Sequence, residues 1–156
     1  PPFYENFGKR LIKSPKLYFF FFFLVCHLLR IDSENMLNRS TFLGSIFEGF
    51  VASEIIKRQM NSGRARQLYY FRDQQGLEVD FLVPGGDHKL ILLEAKASRT
   101  VWPETAESLS RLSKVVSNYK VDRFLIYRPS KGKESISALR PGIKALSIEK
   151  LLSALS

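Results

Sequence analysis

Apolar residues recur every three or four positions between residues 41 and 61, as they do on one face of an amphipathic helix. Ser40 and Thr41 are helix-capping residue types, and Asn61-Ser62-Gly63 supplies a left-handed stop signal. The pattern therefore predicts a helix over 41–61. Its apolar stripe consists of Phe42, Leu43, Ile46, Phe47, Phe50, Val51 and Ile55.

A second helical pattern covers residues 102–119. Pro103 suits the first turn of a helix, where its missing N–H costs nothing. The stripe on this helix consists of Leu109, Leu112, Val115, Val116 and Tyr119. A short third helix is expected over 149–155.

Several short runs between and after these helices have the composition of β-strands. Turn residues separate them, notably Gln74-Gln75-Gly76 and Pro84-Gly85-Gly86-Asp87. The order of strands and helices predicts an α/β fold, with a mixed central sheet flanked by helices. The predicted strands cover 68–72, 78–83, 89–97 and 123–128, with a weak strand near 144–148.

The first forty residues are harder to interpret. Residues 1–16 resemble an irregular lead-in, and the apolar run Leu17–Leu29 follows. A membrane span needs about 20 apolar residues, and no small-residue cleavage site follows the run. We therefore expect a buried segment, a short strand and then a helical stretch ending near Asn38-Arg39. Not all of Phe19–Phe23 can face a core, so they form an interface or are a peculiarity of this chain.

The composition excludes a few classes of protein and of site. The chain is 45% hydrophobic and 13% aromatic, so it can bury a core and is not mainly disordered. Its 24 Lys and Arg against 15 Asp and Glu give a net charge of +9, which is compatible with polyanion binding without requiring it. The single cysteine, Cys26, excludes an internal disulfide and a four-cysteine zinc site. It fits a reducing compartment, so a cytoplasmic location is expected.

The residues with the most chemical content are Asp80, Glu94 and Lys96. Side chains two apart on a strand share a face, so Glu94 and Lys96 are expected to point the same way. If the strand over 78–83 pairs with the strand over 89–97, Asp80 can lie beside Glu94. Two carboxylates and an ammonium group would then meet at the end of one hairpin.

This set has a functional and a plain interpretation. Carboxylate oxygens suit Mg²⁺ or Mn²⁺, and a neighbouring lysine can orient or deprotonate a water that attacks a phosphodiester. The plain alternative is a strand end with an ordinary ion pair, in which Asp80 is a surface acid. Spacing alone leaves both open.

The motifs resemble a known nuclease signature. Asp80 followed by Glu94-Ala95-Lys96 is similar to the PD-(D/E)xK pattern, and Gly44-Ser45-Ile46-Phe47-Glu48 resembles the Gly-x-x-x-Glu of resolvase-like members. More closely, GSIFEGFVASEIIKR, YYFRDQQGLEVDFLV and ILLEAKAS together resemble the C-terminal domain of unknown function of bacterial and archaeal AAA-type ATPases. Residues 6–19 match the segment that joins the two domains, and the resemblance covers roughly 6–128.

The resemblance implies a restriction-endonuclease-like three-layer core over 40–156, with 1–39 as a lead-in to an N-terminal ATPase region absent from this chain. It also implies Asp80, Glu94 and Lys96 as catalytic residues, and Glu48, Asp80 and Glu94 as ligands of Mg²⁺ or Mn²⁺. The chain starts without Met and has no Gly-x-x-x-x-Gly-Lys-Ser/Thr, so we expect it to be a fragment that involves ATP only through the absent region. The resemblance departs at Phe21–Phe23, where an Asp-x-Gly is expected, and near Arg30, where a Gly is expected.

Several other polar residues are candidates for support. Glu54 falls mid-stripe on the helix over 41–61, where a charge needs a partner. We therefore expect Glu54 to reach the metal site or an arginine such as Arg72, so that both residues would hold the metal ligands in place. Solvent exposure of Glu54 and a strand-end ion pair of Arg72 are the plain alternatives. The weaker DNA-binding candidates, in a basic run that could equally be a solvated helix face, are Arg99, Arg111 and Lys114.

The residues and the resemblance leave two main functions open. The first is a metal-dependent nuclease that acts on DNA and is tethered to an ATPase region of the same protein, with no membrane involved and an oligomer left open. The second is a catalytically silent nuclease-like fold that serves as a DNA- or protein-docking module of the ATPase, a role suited to Phe19–Phe23. A toxin–antitoxin or defence-associated accessory domain is a weaker third.

Overall fold

The computed structural model describes residues 1–3, 14–19, 21–130 and 138–155. Three helices come first, α1 (Phe22–Leu28), α2 (Glu34–Arg39) and α3 (Leu43–Asn61). The strands β1 (Tyr69–Arg72), β2 (Glu78–Gly85) and β3 (Lys89–Lys96) follow. A 3-10 turn (Pro103–Ala106) leads into α4 (Glu107–Val115), and β4 (Lys120–Tyr127), β5 (Ile143–Leu146) and α5 (Ile148–Ala154) complete the order.

The five strands form one mixed sheet in the order β1-β2-β3-β4-β5. β1, β2 and β3 pair antiparallel, whereas β4 runs parallel to β3 and β5 parallel to β4. Asp87 and His88 adopt positive φ angles of 55° and 54° in the turn between β2 and β3. The parallel pair needs a crossover, which the 3-10 turn and α4 supply. The predicted α/β fold with a mixed sheet flanked by helices is confirmed.

The core has two layers, one on each face of the sheet. Leu90 and Leu92 of β3 belong to the cluster that contains Leu109 of α4. Ile91 and Leu93 belong to the cluster on the α3 face. β3 is thus buried on both faces, as its nearly continuous apolar sequence predicts for a central strand.

The apolar run at the start of the chain differs from the prediction. Residues 14–19 form neither helix nor strand, and Phe22–Leu28 form α1, in which no residue is buried. Leu17 is 82% exposed and Phe23 is 83% exposed, so the expected short strand and buried segment are wrong. The physical reason is that a uniformly apolar run has no period to choose between strand and helix, and α1 meets the domain mainly through α3.

The boundaries of α3 and α4 differ from the predicted ones by a few residues. α4 stops at Val115 rather than 119, because β4 begins at Lys120, whose N–H donates to the His88 carbonyl at 2.8 Å. α3 begins at Leu43, and the Ser40 hydroxyl accepts from the N–H of Phe42 just before it. The predicted end of α3 is confirmed, since Gly63 follows the helix in the left-handed region with a φ of 68°. In the described parts of the chain, no helix has the length and apolar character needed to cross a membrane.

Candidate active site

The site lies near the start of β2, where Asp80 meets the last residues of β3. Phe81 pairs with Leu93, so the next position along the ladder sets Asp80 opposite Glu94. The N–H of Ala95 donates to Asp80 Oδ2 at 2.9 Å and fixes one carboxylate oxygen. The β1–β2 pairing shifts register between Tyr69 and Phe71, close to Asp80. Such irregularities re-aim side chains, and here the carboxylate comes to face charged groups of three other segments.

Glu94 and Lys96 form a pair on β3. Lys96 Nζ lies 2.7 Å from Glu94 Oε1, and the Ser108 hydroxyl of α4 donates to Glu94 Oε2 at 3.2 Å. The contact with α4 places Glu94 on the same face as Leu92, as the two-residue period predicts. Glu94 is 7% exposed, so both of its oxygens are committed in a nearly buried setting.

Glu48 reaches the cluster from α3. Its Oε1 accepts from the Tyr18 hydroxyl at 2.6 Å. The charge of Glu48 acts on both Asp80 and Lys96 and shifts their pKa values. The structure therefore brings together Glu48, Asp80, Glu94 and Lys96, which come from one helix and two strands.

An ammonium group that the sequence does not single out lies among these carboxylates. Lys16 Nζ is 2.6 Å from Glu78 Oε1, 3.0 Å from Glu48 Oε1 and 3.5 Å from Asp80 Oδ1. The same nitrogen lies 5.6 Å from the centre of the Tyr70 ring. A lysine of the lead-in thus bridges acids of α3 and β2.

Burial and neighbouring charge perturb Asp80 strongly. Desolvation, followed by the charges of Glu94 and Glu48, raises the pKa of Asp80 from its ordinary 3.8 to about 7. The Ala95 N–H and the Lys16 ammonium lower that pKa but do not offset the rise. The cluster therefore carries more negative charge than its lysines neutralise.

The two lysines respond in the opposite sense. Burial lowers the pKa of Lys96, but its hydrogen bond and charge interaction with Glu94 outweigh burial and leave the pKa raised. The same balance, with Glu78 as the main partner, raises the pKa of Lys16. Both ammonium groups are consequently charged at neutral pH.

Arg72 and Glu54, the two residues expected to support the metal ligands, both form ion pairs with other partners. Arg72 Nε lies 3.5 Å from Glu78 Oε2, which is the strand-end ion pair of the plain alternative, and Glu78 in turn contacts Lys16. Glu54 instead pairs with Lys57 of the same helix at 2.7 Å. Glu54 is thus paired with a cation one turn along its own helix, as residues at this spacing commonly are, and Arg72 is paired with Glu78.

The three DNA-binding candidates lie on the surface. Arg99 follows β3 and pairs with Glu34 of α2 at 3.4 Å. Arg111 and Lys114 are exposed on α4, one and two turns beyond Ser108.

Sequence reasoning missed four residues that touch the predicted set, namely Lys16, Tyr18, Glu78 and Ser108. Glu78 carried a signal, since it stands two positions before Asp80 on the same strand. Lys16 and Tyr18 carried none, because their contacts cross 32 and 30 residues of sequence to Glu48.

The donor chemistry of this cluster fits a hard divalent cation. Its excess negative charge and its carboxylate oxygens are what Mg²⁺ and Mn²⁺ prefer. As arranged, however, no three His, Cys, Asp or Glu residues in the described ranges converge closely enough to hold an ion. Lys16 takes up oxygens of two of the three predicted ligands, Glu48 and Asp80. The donor atoms suit a divalent metal, but in this structure Glu48 and Asp80 bind the Lys16 ammonium group.

Comparison with known proteins gives the family. Two uncharacterized proteins, one from Mycobacterium bovis and one from Mycobacterium tuberculosis, are each 38% identical to this chain over 82 residues. The matched stretch covers 53% of this chain and 18% of each relative. The family model described as Domain of unknown function (DUF4143) matches residues 43–151, a span that holds Glu48, Asp80, Glu94 and Lys96. Since that span is well over half of the chain, the chain belongs to the DUF4143 family.

Proposed function

We propose that this chain is a divalent-metal-dependent nuclease domain of the PD-(D/E)xK type, which hydrolyses DNA phosphodiesters. The observation that carries the proposal is the meeting of Glu48, Asp80, Glu94 and Lys96 at one end of the β2–β3 hairpin. Three acids and a lysine from one helix and two strands are difficult to explain as a surface ion pair, since Asp80 and Glu94 are 9% and 7% exposed.

The carboxylates of Glu48, Asp80 and Glu94 would hold Mg²⁺ or Mn²⁺. When bound, such an ion would neutralise charge that develops on the phosphate oxygens during hydrolysis. The chain's own contribution is to hold the ligands still. Ala95 fixes Asp80, and Ser108 fixes Glu94.

Lys96 would act on the attacking water and the phosphate. Glu94 holds its ammonium group at 2.7 Å, and the raised pKa keeps that group protonated. A protonated lysine donates hydrogen bonds and does not accept a proton. We therefore assign Lys96 to orienting the water and stabilising negative charge rather than to general-base catalysis.

A DNA path along α4 is consistent with the same site. Arg111 and Lys114 extend from the helix whose Ser108 contacts Glu94. They would contact phosphates flanking the scissile bond, since such contacts give affinity without reading sequence. Arg99 is nearer to Lys96 along the chain, but Glu34 competes for its guanidinium group.

The larger context is also a proposal. A five-stranded mixed sheet with helices on both faces is compatible with a restriction-endonuclease-like core. The matched stretch is 18% of each mycobacterial relative, which leaves room in such proteins for other modules. We propose that one of these is an AAA-type ATPase, that ATP acts only there, and that the whole protein works in the cytoplasm.

The test is a supercoiled-plasmid assay with Mn²⁺ and then Mg²⁺, performed on this chain and on the full-length protein with ATP. The proposal predicts nicking by wild type and loss of nicking in Asp80→Ala. Asp122→Ala is the matched control, because Asp122 forms a surface ion pair with Lys89 at 2.8 Å. A plasmid that stays intact with wild type under all of these conditions contradicts the proposal.

A docking or regulatory module is the second candidate. The observation in its favour is the exposed apolar surface around α1, to which Leu17, Phe19, Phe21, Phe23, Leu24 and Leu28 contribute. Exposed patches of this kind usually serve a partner rather than nucleic acid. An inert wild type that still binds the ATPase region in a pull-down, and loses that binding on Phe23→Ser, would favour this second function.

A further inference from the structure

We propose that Lys16 is a built-in cation that closes the carboxylate cluster, so that a divalent metal binds only after the segment 14–19 has moved away. The identity of the competing ion rests on the proposed function, whereas the contacts of Lys16 do not.

The Lys16 ammonium group binds oxygens that a metal ion would need. It lies within 3.5 Å of oxygens on Glu48, Glu78 and Asp80, two of which are predicted metal ligands. Lys16 bridges two of these ligands at once, whereas Lys96 contacts one. An ion held between Glu48 and Asp80 would lie against the Lys16 ammonium group, and like charges repel at this range. Filling the site with metal therefore requires Lys16 to leave.

The segment 14–19 is attached to the sheet and to α3 by side-chain contacts. It forms neither helix nor strand. The Tyr70 hydroxyl donates to the Ser14 carbonyl, the Tyr18 hydroxyl donates to Glu48, and the Tyr18 ring packs 5.8 Å from Phe81. A few contacts of this kind separate more readily than a backbone ladder, so the segment can detach while the sheet stays folded.

Detachment of the segment removes no buried residue: positions 14–19 are exposed or half-buried, and Tyr18 packs against the edge of the core on the α3 face. The segment continues towards α1, which has no buried residue. Lys16 itself keeps 23% of its side chain exposed, so water and ions can reach it. Because Tyr18 and Lys16 both bind Glu48, their departure would free that carboxylate in one movement.

The test is calorimetric titration of Mn²⁺ into the full 156-residue chain. Lys16→Met keeps the length of the side chain and removes its charge, and it should bind Mn²⁺ about tenfold or more tightly than wild type, because the competing state is removed. Lys16→Arg keeps the charge and should bind within about twofold of wild type. Lys57→Met, which removes a surface lysine from the Glu54 pair, is the control and should not differ.

Two results of the titration would overturn the proposal. One is a folded Lys16→Met that binds Mn²⁺ no more tightly than wild type. The other is an equal gain in Lys16→Arg, which would show that the charge of Lys16 does not keep the metal out.

A second measurement uses wild type alone, in case Lys16→Met does not fold. Acetylation of lysine amines, followed by mass spectrometry, should label Lys16 more slowly than Lys57, and saturating Mn²⁺ should raise the labelling of Lys16 about tenfold while leaving Lys57 unchanged. Labelling of Lys16 that is indifferent to Mn²⁺ overturns the proposal. If Lys16→Met binds Mn²⁺ tightly and the plasmid remains intact, the nuclease assignment fails and the role of Lys16 stands.

Discussion

Asp80 lies in a position that few carboxylates occupy. It is 9% exposed, it faces two other acids, and its stabilising partners are one backbone N–H and one ammonium group at 3.5 Å. A site that holds excess negative charge costs folding free energy unless a cation neutralises it. The same excess charge is what allows a site to bind a divalent ion.

This excess charge gives the first prediction, a pH dependence of stability. Because the pKa of Asp80 is about 7 in the folded chain and 3.8 ordinarily, the folded state keeps a proton that the unfolded chain releases over that interval. The free energy of unfolding should therefore fall as pH rises from about 4 to about 7. Asp80→Asn should remove this decline and be more stable than wild type at pH 8 by about 2–4 kcal/mol, with little difference near pH 4.

Urea denaturation of wild type and Asp80→Asn at pH 4, 6 and 8 measures this, with Asp122→Asn as the surface control. Parallel pH profiles for wild type and Asp80→Asn would show that Asp80 does not titrate in this range. The raised pKa values of Lys16 and Lys96 act only above about pH 10 and do not interfere. The charged groups that act on Asp80 are Glu94, Glu48 and Lys16, and Asp80 in turn interacts with Lys96.

Single elements differ in how far the sequence predicted them. β3 could be predicted, since an uninterrupted apolar stretch of strand length, bounded by turns, fits a central strand. α1 could not be predicted, because five consecutive phenylalanines show neither the apolar repeat of a helix nor that of a strand. Glu94 and Lys96 could be placed on one face from local spacing alone. Lys16 could not be placed, because its partners Glu48 and Asp80 lie 32 and 64 residues away and only the folded chain brings them together.

The second prediction compares two leucines in these elements. Leu92 of β3 is fully buried, whereas Leu28 of α1 is 71% exposed. Leu92→Ala should destabilise the chain by about 2–5 kcal/mol through reduced burial and a cavity, and Leu28→Ala by no more than about 0.5 kcal/mol. Guanidinium denaturation at neutral pH checks both. Equal effects would mean that α1 packs into a core or that β3 does not lie at the centre of the sheet.

At the scale of the whole molecule, charge and apolar surface are distributed unevenly. The net charge of +9 coexists with a cluster of carboxylates near Asp80, so the acids are concentrated where the lysines Lys16 and Lys96 partly neutralise them. Basic residues on α4 extend away from that cluster, and the exposed apolar residues gather around α1. This separation would let one domain bind DNA through one surface and a protein partner through another.

The third prediction concerns affinity for DNA. Arg111→Ala combined with Lys114→Ala should weaken binding to duplexes of any sequence, and should reduce the slope of log affinity against log salt by about 0.9 for each phosphate that the variant no longer neutralises. Fluorescence anisotropy with two unrelated duplexes between about 50 and 200 mM salt would measure this, since such slopes are steep in that range. Lys57→Ala is the control. An unchanged slope would place the DNA path elsewhere.

We expect Lys96 to serve hydrolysis of a phosphodiester and not the binding of DNA. The measurement that tests this role is single-turnover cleavage of a labelled duplex in Mn²⁺ by wild type, Lys96→Ala and Lys89→Ala. It uses whichever protein nicks plasmid, this chain or the full-length protein. Fluorescence anisotropy on the same samples measures how tightly each variant binds the duplex. Lys89 lies at the other end of β3 and pairs with Asp122, so it is a matched control. We predict that Lys96→Ala binds the duplex within about twofold of wild type and cleaves it about a hundredfold more slowly, while Lys89→Ala behaves as wild type. Cleavage by Lys96→Ala at the wild-type rate, or a drop in cleavage fully explained by weaker binding, would contradict this role of Lys96.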